Sequence, residues 1–466
     1  MPYTLVIDQG THASRAILFS ADRQIVAHAE KSIQLLRIDH ETIEQDAVEI
    51  LQSIDHVVTH LPAEKLQQAK CCGICTQRST VLAWRKDTGQ PLSPAISWQD
   101  RRSQQDLDQF QSRQARIHEI TGLPLSAHYG AGKFRWLLKH NPQVQQALAE
   151  DNLCMGPLVS YLLHHLLLNK PHLVDYSNAH RSLLFDIARR DWSNELLDLF
   201  TIPAWTLPAC KPMLHDYGEL IFNTIPVTAV CGDQNASIYA QGPIDPHSAM
   251  VNLGTGAFVL SGIDTIHTDT SLLCSVALGN DVSTAYLLEG TINGCGAALD
   301  WLQQQEPVDH LFDDLPDWLH SIQSPPLFIN TISGLGSPWW KEGPAACFLG
   351  DETASVESRY VAVIESIVFL IQHNLDEIQR YKTLDKIHIS GGLSKLDGLC
   401  QKLANLSALP VVAMPDTEAT AHGAAWLAQQ CPPHIPPAHS SRRFSTRSDT
   451  GLLQRFQLFS DEISSI

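Results

Sequence analysis

Short β-branched apolar runs interrupted by polar Gly/Asp/Thr turns open each half of this chain. Tyr3–Ile7 predicts a strand, Asp8-Gln-Gly-Thr11 a tight turn, Ser14–Phe19 a second strand, and Ser20–Arg23 the turn after it. Apolar residues at helical spacing predict a helix over Asp46–Leu61. Cys71–Cys75, Thr80–Trp84 and Ala95–Trp98 read as strands, with a turn at Asp87-Thr-Gly89. Residues 133–149 and 157–169 read as helices. Near Val227 the strand pattern restarts. Val251–Gly256 and Ala257–Leu260 repeat the strand–turn–strand unit, and a long amphipathic helix covers Ser358–Gln379. The strand Ile387–Ser390 runs into Gly391-Gly392, and a helix begins near Leu396. Thr420–Gln430 is a helix of small residues, and the Pro- and Ser-rich run from Cys431 predicts a loop before a closing helix over Gly451–Phe459.

A chain of 466 residues exceeds one hydrophobic core. The pattern divides it into an α/β half over 1–235, a second over 236–430, and a tail over 431–466. A hydrophobic content of 44% and a charged content of 18% are those of a globular protein. A net charge of −18 argues against nucleic acid or anionic membrane as a partner, although a local basic pocket for phosphate remains compatible with it. MPYTLVIDQG lacks the basic start of a signal peptide, and Leu158–Leu168, the longest apolar run, is too short to span a bilayer. With 11 scattered cysteines, an odd count, reduced thiols in the cytoplasm are expected. Cys72-Gly-Ile-Cys75 has metal-ligand spacing but reads as a buried strand with no second Cys/His pair nearby.

The chemistry lies in the turns. Gly-Thr turns present backbone N–H groups and a hydroxyl at close range, so two of them facing each other across the halves would clamp a polyphosphate. Asp8, at a strand end, is placed to hold a divalent cation directly or through water. In VCGDQNASI an apolar strand delivers a second carboxylate, Asp233, straight after a glycine. That carboxylate suits either a general base or a cap on the following helix. Trp98 fits a pocket wall or plain core, and Arg78 a ligand contact or a surface ion pair.

Taken in order along the chain, these motifs resemble the FGGY carbohydrate kinases of the actin-like ATPase superfamily, and within them the glycerol kinases. The resemblance rests first on Asp8–Thr11 with Ser14-Arg15, Gln77-Arg78, Ala95–Trp98 with Arg101-Arg102, and Lys133–Trp136. It continues through Asp175–Ala179 with Arg181, Gly232–Gln234, Gly254–Gly256 with Phe258, and Leu288–Gly290. It closes on Gly334–Gly336 with Pro338 and Trp340, Glu365-Ser366, Gly391-Gly392 and Gly423–Ala425.

This likeness implies two actin-like (ribonuclease H-like) α/β ATPase domains around a central cleft. It further implies ATP and Mg²⁺ as cofactors, a small polyol or sugar as substrate, and assembly as a dimer or tetramer. Asp233 is then the general base. Arg78, Ser79, Trp98, His128, Tyr129, Gln234 and Phe258 hold the acceptor. Thr11, His12, Arg15, Gly254, Thr255, Gly256, Gly296, Asp300, Gly391 and Gly392 hold the nucleotide, and Asp8 positions Mg²⁺ through water.

The chain also departs from the glycerol-kinase pattern. Ser79 replaces a glutamate, removing a charged acceptor whose hydrogen bonds are worth about 1.5–3 kcal/mol each. His128 stands where a tyrosine is expected, with Tyr129 one residue on. His12-Ala13 replaces two hydroxyl residues, Asp300 a glutamine and Leu396 an asparagine, and KEGPAACFLG lacks an arginine. The smaller Ser79 leaves room for a polyol or ketose larger than glycerol, and the nucleotide-side changes bear on the strength or pose of ATP binding. They also leave open a nucleotide- or sugar-binding sensor with little turnover.

Overall fold

The computed structural model describes residues 3–269, 271–350, 353–414, 418–432 and 441–466. Apolar runs buried on both faces produce two large sheets. In the first, six strands lie in the order Leu214–Glu219, Pro226–Gly232, Ala69–Thr76, Tyr3–Gln9, Ala13–Phe19 and Ile25–Ser32. The middle three, Pro226–Gly232, Ala69–Thr76 and Tyr3–Gln9, run parallel. In the second sheet Ser248–Leu253 pairs antiparallel with Ala257–Ile263 and parallel with Lys386–Gly391, so the opening motif recurs. The expected pair of actin-like α/β units is the architecture observed.

Register decides where the polar residues emerge. Asp8 lies opposite Cys75, and Cys75 opposite Cys231. Gln9, Thr76 and Gly232 align one step further on. Three apolar strands therefore end together at one edge of the sheet, the edge at which ligands bind in open parallel sheets. A smaller five-stranded sheet, which includes Val81–Arg85 and Ala95–Ile96, carries a second core beside the first. The chain leaves the first sheet through a short helix, Asp233–Ser237, and enters the second at Ser248.

The small-residue helix is Ala419–Ala428, and its composition follows from where it packs. It lies on the first sheet, against Ala69–Thr76, and crosses the helix Asp233–Ser237. A methyl group at Gly423 would stand 1.7 Å from the Ala236 carbonyl oxygen, so only glycine permits this crossing.

Two expected elements differ. The helix anticipated over 133–149 is two helices, Gly130–His140 and Pro142–Ala149. Pro142 disfavours a helical conformation at Asn141, whose side chain instead caps the second helix through Gln143 and Val144. The run after Cys431 is not all loop: Arg442–Phe444 pairs antiparallel with Val411–Ala413 at the edge of the second sheet. The loop expected over 433–440 lies outside the described residues. The closing helix runs longer than expected, over Thr450–Ser465, and buries Leu452, Phe459 and Ile463. Its Arg455 pairs with Glu365, which also holds Lys402. Among the described residues no helix is long and apolar enough to cross a membrane.

Gly423→Ala is expected to lower the stability of the folded chain by about 3 kcal/mol through overpacking. Gly392→Ala, with no atom within 4 Å of the added methyl, should leave it within about 0.5 kcal/mol. Urea unfolding midpoints of the two variants test the contrast.

Candidate active site

Asp8 and Asp233 face one cavity of about 590 Å³, which Arg15, Gln234, Phe258 and Glu418 also line. An adjoining cavity of about 360 Å³ shares Asp8, Arg15 and Asp233 and reaches the turn Gly10–Ala13, including Thr11 and His12. Asp8 is buried, and that burial, with the Asp233 charge facing it, pushes its carboxyl up to about 6. The Cys75 thiol donates to Asp8 Oδ1 at 3.5 Å. Asp233 keeps an opening to the cavity, yet surrounding protein raises its carboxyl above the usual range while Arg78 works against that rise. Two like charges across one cavity form a donor set that a divalent cation relieves. Among the described residues no cluster of three or more His, Cys, Asp or Glu could hold a metal by itself. The pair therefore fits a cation that arrives with phosphate oxygens and keeps water ligands, as Mg²⁺ does.

A glutamine network sets the turn between the first two strands. Gln77 Nε2 donates to Gln9 Oε1 at 3.1 Å and to Gln45 Oε1 at 2.8 Å. Gln45 Nε2 donates to the Thr11 carbonyl at 2.8 Å. Thr11 Oγ1 accepts from Trp98 Nε1 at 2.9 Å, tying the turn to the indole. Arg15 pairs with Glu30 at 2.9 Å and Glu418 at 2.7 Å, so its guanidinium lies at the cavity wall already held by two carboxylates.

Arg78 reaches the same place from behind. A methyl at Gly232 would stand 2.4 Å from Arg78 Cδ, so the glycine lets the arginine stem lie across the strand end. Its guanidinium donates to Asn235 Oδ1 at 3.0 Å and to Gln234 Oε1. Burial, then the neighbouring Arg181, lower its pKa to about 10, and it stays charged at neutral pH. His128 stacks edge-on against Trp98 at 5.6 Å and against Tyr129 at 5.1 Å. Burial and then Lys133 hold His128 well below its usual range, so the imidazole is neutral.

Ser79 does not line either cavity. It is 2% exposed, its hydroxyl donates to the Arg181 carbonyl at 3.3 Å, and its own carbonyl accepts from the buried Lys133 ammonium at 2.9 Å. The same ammonium reaches the His128 carbonyl at 2.8 Å, so Lys133 holds the two segments together.

On the second sheet, exposed Gly254 and Thr255 and half-buried Gly256 form a turn against the start of the helix Gly296–Gln305. Gly296 N donates to the Gly254 carbonyl at 3.0 Å, and Ala297 N to that of Thr255 at 3.0 Å. Asp300 is exposed one turn further along that helix. Gly391 lines a cavity of about 290 Å³ with Asn252 and Ser390, which adjoins the 590 Å³ cavity through Ser237, Asn252, Leu260 and Ala419, and Gly392 follows it. Asp8, Arg15, Asp233, Gln234 and Phe258 thus converge on one cavity, with Thr11 and His12 on its extension. Arg78, Trp98, His128 and Tyr129 form the adjoining cluster, while Gly254, Thr255, Gly256, Gly296, Asp300 and Gly392 lie apart from both cleft cavities.

Sequence reading missed Gln9, Gln45 and Gln77 as site residues, although a signal was present: a glutamine closes or directly follows two of the parallel strands, in Asp8-Gln9 and Thr76-Gln77. It also missed Lys133, Asn235 and Glu418 as site residues. Nothing local marks Glu418, because its partner Arg15 lies at the other end of the chain.

The model for the N-terminal domain of the FGGY family of carbohydrate kinases matches residues 3–239, and that for the C-terminal domain residues 249–429. The chain is 32% identical over 446 residues to a glycerol kinase of Shewanella frigidimarina, covering 91% of this chain and 88% of that one. It is 33% identical over 451 residues to a glycerol kinase of Janthinobacterium sp., covering 91% and 89%. Among solved structures, Plasmodium falciparum glycerol kinase with ADP superposes with a TM-score of 0.91 at 23% identity, covering 100% of this chain and 98% of that one. A ligand-bound xylulose kinase from Lactobacillus acidophilus gives 0.87 at 19% identity, covering 100% and 98%.

Asp8 ionises at 3.8 when unfolded and near 6 when folded. The folded state therefore holds the extra proton between these values, and stability falls as pH rises through that window. Asp8→Asn should stabilise the ligand-free protein by about 2–3 kcal/mol at pH 7.5, with the gain shrinking toward zero near pH 4. Urea titrations of both proteins across that range check the sign, and a gain independent of pH counts against it.

Proposed function

Because the chain belongs to the FGGY family of carbohydrate kinases, ATP-dependent phosphotransferases acting on sugar or polyol hydroxyls, we propose that Asp233 is its general base. The acceptor hydroxyl belongs to a small polyol or sugar held by Arg78, Trp98, His128, Tyr129, Gln234 and Phe258. The observation that carries this reading is the convergence of Asp233 and Asp8 on one cavity, with the Arg78 guanidinium anchored beside Asp233.

ATP, bound with Mg²⁺, supplies the electrophilic γ-phosphorus and the cation that neutralises its charge. Asp233 accepts the proton of the acceptor hydroxyl as that oxygen attacks. A carboxyl raised by burial is a better base than one in water, and the Arg78 charge opposes that rise and favours the ionised form. Neutral His128 packs against the ring of Trp98 and brings no second charge beside the acceptor. The Trp98–Thr11 hydrogen bond makes the acceptor wall and the phosphate turn one rigid unit. Asp8 would hold the cation through water, and Thr11, His12 and Arg15, which line the same cavity, would contact the phosphates from the first sheet. Thr255 and Gly256 would contact them from the second, and Gly296, Asp300 and Gly392 would flank the adenine ring. Closure of the two units across residue 236 would then exclude water before transfer.

The relatives lend no support to a sensor without turnover. A cytoplasmic setting accords with all eleven cysteines being free.

Asp233→Asn should lower kcat by about 10²–10⁴-fold while leaving the fold intact. ADP release with Mg·ATP and a panel of glycerol, erythritol, ribitol, xylitol, ribulose, xylulose and gluconate measures this and names the acceptor class. Near-normal turnover in folded Asp233→Asn removes the base assignment.

A further inference from the structure

A buried ion pair joins the two units behind the acceptor cluster. Arg181 comes from the first unit, just after the short helix Tyr176–His180. Glu289 lies on the strand Thr284–Ile292 of the second sheet. Both side chains are about 5% exposed or less, at 5% and 4%. Arg181 Nη2 donates to Glu289 Oε1 at 2.6 Å and also to Oε2. Ser275, on the neighbouring strand Leu273–Gly279, accepts from Arg181 at 3.1 Å and donates to Glu289. A second polar link runs alongside, from Asn235 Nδ2 to the Val276 carbonyl at 2.8 Å.

The arginine also touches the acceptor cluster at several points. Its guanidinium lies close enough to the Tyr129 hydroxyl for each to shift the other's ionisation. Its carbonyl accepts from Ser79 Oγ at 3.3 Å and from Gly130 N at 3.3 Å. Arg78 lies close enough to feel both the Arg181 and the Glu289 charges. Two buried guanidinium groups side by side repel each other, and Glu289 is the carboxylate between units that offsets that repulsion. Although burial works against it, Arg181 and then Arg78 hold the Glu289 carboxyl at about 2, so it is ionised at every working pH.

We propose that Arg181 and Glu289 are a positioning pair, through which the second unit sets Tyr129, the Ser79 segment and Arg78 for acceptor binding. This rests on the kinase reading above. Neither residue lines the cleft cavities, so each acts through the side chains it holds. A pair that served stability alone would alter the amount of folded enzyme and leave the affinity of that enzyme unchanged. A positioning pair alters acceptor affinity and leaves the nucleotide alone.

The test is steady-state kinetics with glycerol, or with the best acceptor of the panel, on full-length wild type, Glu289→Gln, Tyr129→Phe and the double variant. Glu289→Gln keeps the side-chain volume and removes the charge. It should raise the acceptor KM about tenfold, with the ATP KM within about twofold. The double variant should fall short of the product of the two single effects, since both act through Arg181. Arg181→Lys, which retains the charge, should restore part of the affinity that Arg181→Met loses. An unchanged acceptor KM in folded Glu289→Gln, or rises in both KM values together, overturns the proposal. If Glu289→Gln does not fold, Ser275→Ala removes a neutral partner of the same carboxylate. Its acceptor KM should then rise about two- to threefold, and no rise overturns the proposal as surely. Wild-type protein that turns over no acceptor sinks the kinase reading itself, whereas normal wild-type turnover with unaffected variants sinks only this pair.

Discussion

Two carboxylates facing one partly desolvated cavity are the constraint around which the rest of the site is arranged. Like charges in a medium poorer than water repel, and each loses solvation besides. The fold places them there because three parallel strands end in register, with Asp8 closing one and Asp233 following another. Apolar strands below them, from Leu5–Ile7 and Val230, leave no alternative exit for the charge. The pair is accommodated by one thiol donor, by Arg15 beside Asp8, by the Arg78 guanidinium clamped by Gln234 and Asn235, and by an opening to the cleft.

The same repulsion explains why so many neutral donors surround the site. Gln9, Gln45 and Gln77 shape the turn between the first two strands without adding charge. His128 is neutral, and Lys133 satisfies two carbonyls from a buried position, with burial bringing its pKa down to about 7. Two clusters of full charges in the interior meet opposite ones: Arg181 with Glu289, and Glu365 with Lys402 and Arg455. A buried ion pair adds little net stability over an apolar pair, but its directional hydrogen bonds select one arrangement of the groups it joins. In this chain those groups belong to different units.

The two-unit α/β architecture was legible from strand periodicity and the recurring strand–turn–strand motif. The order of motifs pointed to the family, and Asp233 was singled out because a carboxylate at the end of a buried strand is costly without a use. The helix break at Asn141-Pro142 was also within reach, since proline restricts the residue before it. The strand Arg442–Phe444 was not, because three residues of a polar run become a strand only when a sheet edge offers them partners.

By itself the sequence determined which residue types meet which turns: local steric and periodic preferences act over a few residues and are readable there. Only the tertiary structure decided that Ser79 turns its hydroxyl to the Arg181 carbonyl, away from the cleft. Only there does Glu418 meet Arg15, or Glu289 lie between Arg181 and Arg78. Those outcomes depend on electrostatics and desolvation among residues far apart in the chain, and such energies exist only once the two units have folded against each other.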